Sequence, residues 1–341
     1  MVTLEALPRR GGVATYVGNA VNTAKKLGLP VLLAAPIGSI GADIQLACNH
    51  GQMPLNLWWA SQALKKLKAP VIYLAEYAAI RAALVAWDWT KRQRIRLILH
   101  GSEILDMEGS GRFRELLKRA EGIYTLSGAV AQLALKLQPT AKDKIVITGG
   151  APSTQLTLIE GLHNPRKLLT VARIHPRKGQ LEILAGMAQG SLPGFSYEMA
   201  GPGRNDSYEK KIKEFAVSKK LPATFHGEID DSKLSLLYAQ CGIFVLPAST
   251  LKNRIEGYGL VLLDAAAMGL PVVTYDCGGI SEAVQHCRTG ILVPPGNRNA
   301  LVDAILQLAR NERLWAEMSL ASRQWAVSKS WKEVAEKLFA S

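Results

Sequence analysis

Ile255-Glu256-Gly257-Tyr258-Gly259-Leu260-Val261-Leu262-Leu263-Asp264, continuing as Ala265-Ala266-Ala267-Met268-Gly269-Leu270-Pro271-Val272-Val273, is the stretch from which the fold is read. It runs acid, glycine bend, apolar helix, glycine stop and strand. Gly257 and Gly259 are small enough for backbone to come close to a ligand. Leu260 to Met268 reads as a short buried helix, with Gly269 as its C′ residue and Pro271 unable to continue it. Val272-Val273-Thr274-Tyr275 is β-branched and aromatic and reads as the next strand. A helix that opens just after glycines offers free N–H groups and a positive dipole end, which suits phosphate. Asp264 falls about one turn into that helix at ~1.5 Å of rise per residue, and Glu256 sits in the loop before it. One acid can then reach a sugar hydroxyl and the other a ribose. Alone, the fragment fits any strand–loop–helix with two solvated acids, so its surroundings decide.

Outward from it, strands and helices alternate. Towards the N-terminus come the strands Ile243 to Pro247, Thr224 to His226, Tyr197 to Ala200 and Leu168 to Ala172, with helices at Asp231 to Ala239, Tyr208 to Ser218 and Gln180 to Met187. Towards the C-terminus come a helix from Ser281, the strand Ile291-Leu292-Val293, a helix from Ala300 to Ala309 and one longer run from about Arg313 to Leu338. Pro152 to Pro165 is rich in turn residues and breaks the pattern. Before it lies a second alternation: strands at Val2 to Ala6, Val31 to Ala35, Val71 to Leu74, Ile95 to Leu99, Ile123 to Leu126 and Ile145 to Ile147, with helices between most of them. Residues 38–51 are poorly patterned. Such alternation argues for parallel sheets. The expected fold class is α/β, with two doubly wound Rossmann-like domains facing a cleft, over residues 1–160 and 161–315. A last helix over 316–341 is expected to cross back to the N-terminal domain. Ligands of such sheets sit at the carboxyl ends of the strands.

The chain of 341 residues suits two cores. No apolar run reaches transmembrane length, and the start Met1-Val2-Thr3-Leu4-Glu5 shows no signal peptide. Cys48, Cys241, Cys277 and Cys287 are scattered and read as reduced cytosolic thiols, without a zinc or disulfide framework. The formal charge is +13, with 19 Lys and Arg against 11 Asp and Glu over residues 1–160 and 22 against 17 after them. Such a surface draws anions: phosphorylated substrates, nucleic acid or an acidic membrane leaflet.

Four strand ends carry candidate chemistry. Arg9-Arg10-Gly11-Gly12-Val13 follows the first strand, where paired glycines suit approach to phosphate. His100, in Leu99-His100-Gly101-Ser102-Glu103, can meet a sugar hydroxyl or handle a proton, or serve as a structural histidine. Val171-Ala172-Arg173-Ile174-His175-Pro176-Arg177-Lys178-Gly179 delivers Arg173 as a fork and Lys178 as a point charge for phosphate. Fixed cations there stabilise a departing pyrophosphate and take the place of a metal. The opening stretch is the fourth.

In the C-terminal half these elements, in order, resemble the retaining glycosyltransferases of family 4, which have the GT-B fold. The resemblance is carried by Arg173 with Lys178-Gly179, Ala200-Gly201-Pro202-Gly203, Phe225-His226-Gly227, Phe244 to Ser249, Glu256 to Asp264, Gly278-Gly279-Ile280-Ser281-Glu282 and Thr289 to Val293. It covers about residues 165–295; the N-terminal match, Gly11-Gly12 and His100, is looser. The resemblance implies transfer of a hexosyl group from a UDP- or GDP-linked sugar, with retention and without a metal or other cofactor. His100, Glu256, Arg173 and Lys178 are the implied catalytic set. Gly11, Gly12, Gly201, Ile229, Glu256, Gly257, Tyr258, Gly259, Leu260 and Asp264 are the implied donor-binding set. The family's second acid is usually Glu and here is Asp264, one methylene shorter.

The acceptor is expected to be a glycan or lipid-linked sugar, with Glu76 and Glu103, at strand ends of the N-terminal domain, as candidates for its hydroxyls. Bacterial surface polysaccharide or lipopolysaccharide synthesis is the expected setting. Trp87-Asp88-Trp89-Thr90-Lys91-Arg92-Gln93-Arg94-Ile95-Arg96 mixes aromatic and basic residues and is a candidate contact for an anionic leaflet at the inner face of the plasma membrane, or a basic surface loop. A nucleotide-sugar 2-epimerase on the same fold, a basic nucleic-acid protein and an inactive scaffold are the rival readings. No recognition helix or aromatic stacking platform supports nucleic acid.

Overall fold

The computed structural model describes residues 1–6, 11–49, 54–159, 163–203, 207–250 and 254–340, and the main chain alone at Pro54. The chain divides into two compact units: unit 1, Met1–Gly150 with Ser330–Ser341, and unit 2, Ala151–Lys329.

Unit 1 is built in order from α1 (Gly12–Lys26), β1 (Ala34–Pro36), β2 (Ile44–Leu46), α2 (Pro54–Leu64), β3 (Ile72–Leu74), α3 (Tyr77–Val85), α4 (Trp87–Thr90), β4 (Ile95–Leu99), α5 (Ser102–Asp106), α6 (Gly111–Arg119), β5 (Gly122–Thr125), α7 (Gly128–Leu137) and β6 (Ile145–Ile147). Strands β3-β4-β5-β6 form one parallel sheet and β1-β2 a parallel pair. Val2 joins them, bridging in parallel to Ala34 on one side and Leu74 on the other. The order is therefore β2-β1-Val2-β3-β4-β5-β6, doubly wound, with its reversal at the Val2 segment. The short β2 falls in the poorly patterned stretch of residues 38–51. Leu4, Leu74, Leu97 and Leu99, at most 1% exposed, lie in the unit's core; burying each is worth roughly 1.5–3 kcal/mol.

Unit 2 contains β7 (Asn164–Val171), α8 (Gln180–Ala188), β8 (Ser196–Ala200), α9 (Ser207–Ser218), β9 (Ala223–Gly227), α10 (Asp231–Gln240), β10 (Cys241–Leu246), α11 (Leu260–Ala267), β11 (Val272–Tyr275), α12 (Ile280–Ala283), β12 (Gly290–Val293), α13 (Arg298–Arg310) and α14 (Glu312–Val327). Its six-stranded sheet has the order β12-β11-β10-β7-β8-β9, all parallel. Central β10 is apolar throughout and buried at every position, as a strand covered on both faces must be, while edge strand β9 stays partly exposed. The winding reverses between β7 and β10, so the loops after these two strands open side by side. Doubly wound sheets bind ligands at that point.

The long C-terminal run from Arg313 to Leu338 is two helices, α14 and α15 (Trp331–Phe339). Ser330 breaks it, its hydroxyl accepting from the Glu333 N–H as an N-cap. Trp331, Val334, Ala335 and Leu338 form the buried stripe of α15, which packs on α1 within unit 1. Tyr73 Oη donates to the Leu338 carbonyl at 2.5 Å, and the Tyr16 and Trp331 rings meet edge to face at 5.6 Å.

The aromatic residues of 87–96 turn inward. Trp87 and Trp89 pack against the core of unit 1. The charges around them find local partners: Lys91 Nζ lies 2.9 Å from Asp88 Oδ1, and Arg94 Nε 2.5 Å from Glu121 Oε1.

Candidate functional site

The two loops at the reversal point of unit 2 hold a compact charge cluster. After β7 the chain passes Arg173 and makes a 3₁₀ turn over Pro176–Lys178, capped by His175, whose Nδ1 accepts from the Arg177 N–H at 3.1 Å. That turn aims Arg177 and Lys178 together. After β10 the chain returns with Glu256. Glu256 Oε2 accepts from Lys178 Nζ at 2.6 Å and from Arg177 Nη1 at 2.5 Å, and all three side chains are only 12% exposed. Burial alone would raise the Glu256 carboxyl, but the charges of Lys178 and Arg177 and their hydrogen bonds outweigh it and hold the group at about 2. Lys178 is pulled below its ordinary value by burial, opposed by Glu256 and reinforced by the charges of Arg177 and Arg173. Lys178 and Arg177 thus share one carboxylate, Arg173 adds its charge near Lys178, and the cluster is net positive.

Backbone fixes this geometry. Gly179 has φ +73°, and a Cβ there would stand 2.2 Å from the Pro247 carbonyl oxygen, so the two loops touch main chain to main chain. The Ser249 N–H donates to the Arg177 carbonyl at 2.9 Å. Gln180, the first residue of α8, donates from Nε2 to the Arg173 carbonyl at 2.9 Å. A third loop closes on Glu256: Gly279 N–H donates to its carbonyl at 2.9 Å, and a Cβ on Gly278 would stand 2.2 Å from that same oxygen.

Gly257, Tyr258 and Gly259 lead into α11, with Tyr258 buried and Gly259 left-handed at φ +80° as the residue before the first turn. Leu260 is the first helical residue. Asp264 lies one turn on, and its Oδ1 accepts from the Ser153 N–H at 2.7 Å. Burial raises the Asp264 carboxyl to about 7; the Ser153 bond opposes this and Asp231 adds to it. Gly201 has φ +135°, and a Cβ there would stand 2.3 Å from the Ala172 carbonyl oxygen, so this glycine is demanded by the close approach of β7 and β8 ends. Ile229 is partly buried in the loop between β9 and α10.

In unit 1, Gly11 and Gly12 open α1, while Arg9 and Arg10 lie outside the described residues. His100 follows β4. Its Nε2 donates to the Ala75 carbonyl at 3.2 Å, which places the proton on that nitrogen, and its ring meets Tyr16 edge to face at 5.5 Å. Burial lowers its pKa, against the charge of Glu103, the Ala75 bond and Glu5, so the ring is neutral at pH 7. Glu103 accepts from the His100 N–H and, at 3.0 Å, from the Gly101 N–H. Glu76 is 2% exposed and accepts from the backbone N–H groups of Leu4, Ala78 and Ala79. Both acceptor candidates are therefore engaged by backbone at helix starts. Burial, with the charge of Glu5, raises the Glu76 carboxyl to about 7 against those three bonds.

The structure thus brings Lys178 and Glu256 together, with the charge of Arg173 near Lys178, and adds Arg177, to which the sequence assigns no role. The signal was available: Pro176 just before Arg177-Lys178 favours a tight turn, and a tight turn lets neighbouring side chains converge.

With this geometry stands a family match. Residues 159–325 fit the model of the glycosyl transferases group 1 family. The chain is a glycosyltransferase. It is similar over its length to a Mycobacterium tuberculosis GDP-mannose-dependent alpha-(1-6)-phosphatidylinositol monomannoside mannosyltransferase, at 25% identity covering 99% of this chain and 96% of that one. In structure the enzyme resembles sucrose-phosphate synthase from Thermosynechococcus elongatus, with TM-score 0.81 and 19% identity over 99% of this chain and 96% of that one. It also resembles Anabaena HepE in complex with UDP-glucose, with TM-score 0.76 and 16% identity over 99% and 96%. These neighbours are GT-B glycosyltransferases, and the glycosyltransferase described here has their fold.

Proposed function

We propose that the enzyme moves a hexosyl group from a UDP- or GDP-linked sugar to a glycan or lipid-linked acceptor of the bacterial surface, with retention at the anomeric carbon. The observation that carries the reading is the net positive cluster at the winding reversal of unit 2, where Arg177 and Lys178 meet Glu256 and Arg173 adds its charge near Lys178. A donor diphosphate brings the negative charge that this cluster has in deficit. Unit 2 is the donor-binding domain and unit 1 the acceptor-binding domain.

As the bond from the anomeric carbon to the donor phosphate oxygen breaks, negative charge grows on the diphosphate. Arg173 and Lys178 stabilise it without a metal, and the positive dipole end of α11 adds to the field. The acceptor hydroxyl attacks on the face the phosphate leaves, and its proton passes to the departing phosphate oxygen. Glu256 contacts the donor sugar and keeps Lys178 and Arg177 aimed. Asp264 binds the ribose hydroxyls. His100, with its proton held on Nε2, offers Nδ1 as an acceptor for a sugar hydroxyl.

The test is thermal stabilisation by UDP, GDP, ADP and their sugars, in wild type and Lys178→Ala. A ligand that binds the native state raises the melting point by mass action. One nucleotide is expected to shift wild type and to lose that shift in the variant. No shift with any nucleotide sinks the reading.

A further inference from the structure

Unit 1 carries a surface that the donor reading does not use. On α2, Leu57, Ala60 and Leu64 face the core at 1–3% exposure. On the other side of the same helix, at i, i+3 and i+4 spacing, Leu55, Trp58 and Trp59 are 70%, 47% and 50% exposed. A helix apolar on both sides is ordinarily buried all round or set against lipid. The patch continues beyond the helix. Ile37 N–H donates to the Cys48 carbonyl at 3.2 Å. Asn49 N–H donates to Asn56 Oδ1 at 2.8 Å, and Asn56 Nδ2 donates to the Asn49 carbonyl at 2.6 Å. These bonds tie the turns after β1 and β2 to the first turn of α2, and the turn after β1 presents Ile37 and Ile40, both more than 60% exposed.

Charge selects the occupant. No Asp or Glu occurs between Asp43 and Glu76, while Lys65, Lys66 and Lys68 stand exposed at the far end of α2. A second copy seated on this patch would bring three more lysines against Lys65, Lys66 and Lys68, with no acid in α2 or the segment after it to meet them. An anionic bilayer supplies both an apolar boundary and negative headgroups, and tryptophan favours the level between them.

We propose that α2 and the turn after β1 form the surface by which the enzyme docks on an anionic lipid leaflet. Trp58, Trp59, Leu55 and Ile40 enter the acyl boundary, and the three lysines lie among the headgroups. The proposal stands on this surface alone and is tested without donor or acceptor.

Co-sedimentation and tryptophan emission with phosphatidylcholine vesicles, with and without an equal part of phosphatidylglycerol, read the outcome directly. Binding to the anionic vesicles alone, with a blue shift, is expected. The triple variant Lys65→Glu, Lys66→Glu, Lys68→Glu should bind at least about a hundredfold more weakly, since removing each positive charge alone costs roughly fivefold. The pair Trp58→Ser, Trp59→Ser should bind weakly and lose the blue shift. Because the lysines are exposed and the tryptophans half-exposed, both variants should stay folded and keep the donor-induced shift in melting point. Absence of binding to anionic vesicles at low salt overturns the proposal. So does binding that survives the tryptophan changes, or a dimer in light scattering that those changes dissolve. None of these outcomes alters the donor shift, so failure here is distinct from failure at the donor site.

Discussion

Glu256 in unit 2 and Glu76 in unit 1 are both buried glutamates that follow a parallel strand of a doubly wound sheet. Glu256 is met by the side-chain cations Lys178 and Arg177 and is held at about 2. Glu76 is met by three backbone N–H groups and is pushed to about 7 by burial, helped by the charge of Glu5. Position at a strand end is shared, and the partners differ. An acid answered by side-chain cations sits in a place where charge can be exchanged for that of a ligand. An acid answered by amides holds the chain in shape: it caps α3 and pins Leu4.

The largest expected effect is at the cation-bound acid. Glu256→Gln leaves Lys178 and Arg177 buried without their counter-charge. Unit 2 should lose about 3–5 kcal/mol, seen in urea unfolding and in hydrogen exchange of α8 and α11. Sugar transfer should fall at least ~100-fold. Glu76→Ala removes the acceptor of three N–H groups and should cost about 2–3 kcal/mol, with activity per folded molecule retained. If Glu76→Ala instead silences transfer at unchanged stability, the contrast between the two acids is broken.

Acid and base should sharpen the same contrast, with opposite signs. For Glu76, raised from 4.5 to about 7, the contribution to stability is fully present below 4.5 and is lost as pH rises through 7. For Glu256, lowered from 4.5 to about 2, the contribution is present above 4.5 and is lost as pH falls through 2. The stability of wild type minus that of Glu76→Gln should fall by about 1 kcal/mol per pH unit between pH 5 and 7, read from urea melts. A flat difference would remove the burial argument. The smallest effect is expected where a carboxylate has a cation but little burial. Lys25 Nζ lies 2.6 Å from Asp43 Oδ2 with both side chains about a third exposed, and Lys25→Ala should cost only ~0.2–1 kcal/mol.

Much of unit 2 was legible because its residues obey local rules: continuous apolar β10, the glycine before α11, the glycine after it. Arg173, Lys178 and Glu256 are singled out in the sequence by their place after strands, and Asp264 by its place one turn into the helix that follows the glycines. Arg177 is missed by periodicity, because the turn that Pro176 signals is what brings it to Glu256. Glu76 and Glu103 were read by the same place-after-a-strand rule, and the rule does not say whether backbone amides already claim an acid. Trp87 and Trp89 sat among arginines and lysines and looked exposed; the short helix α4 turns them onto the core of unit 1 instead. Trp58 and Trp59 carried no such basic company in the immediate sequence, and their exposure depends on which side of α2 the core claims.

The helix α15 has a consequence for synthesis. It belongs to unit 1 yet is encoded after the whole of unit 2. As the chain leaves the ribosome, every strand of the first sheet emerges early, and the Tyr73 hydroxyl then waits some two hundred and sixty residues for the Leu338 carbonyl. Unit 2 has all its strands before that partner exists. The first unit to be made is therefore the last to be finished, and in the interval Tyr16 and the outer side of α1 lack the cover that Trp331 will provide, a window in which a nascent chain invites a chaperone.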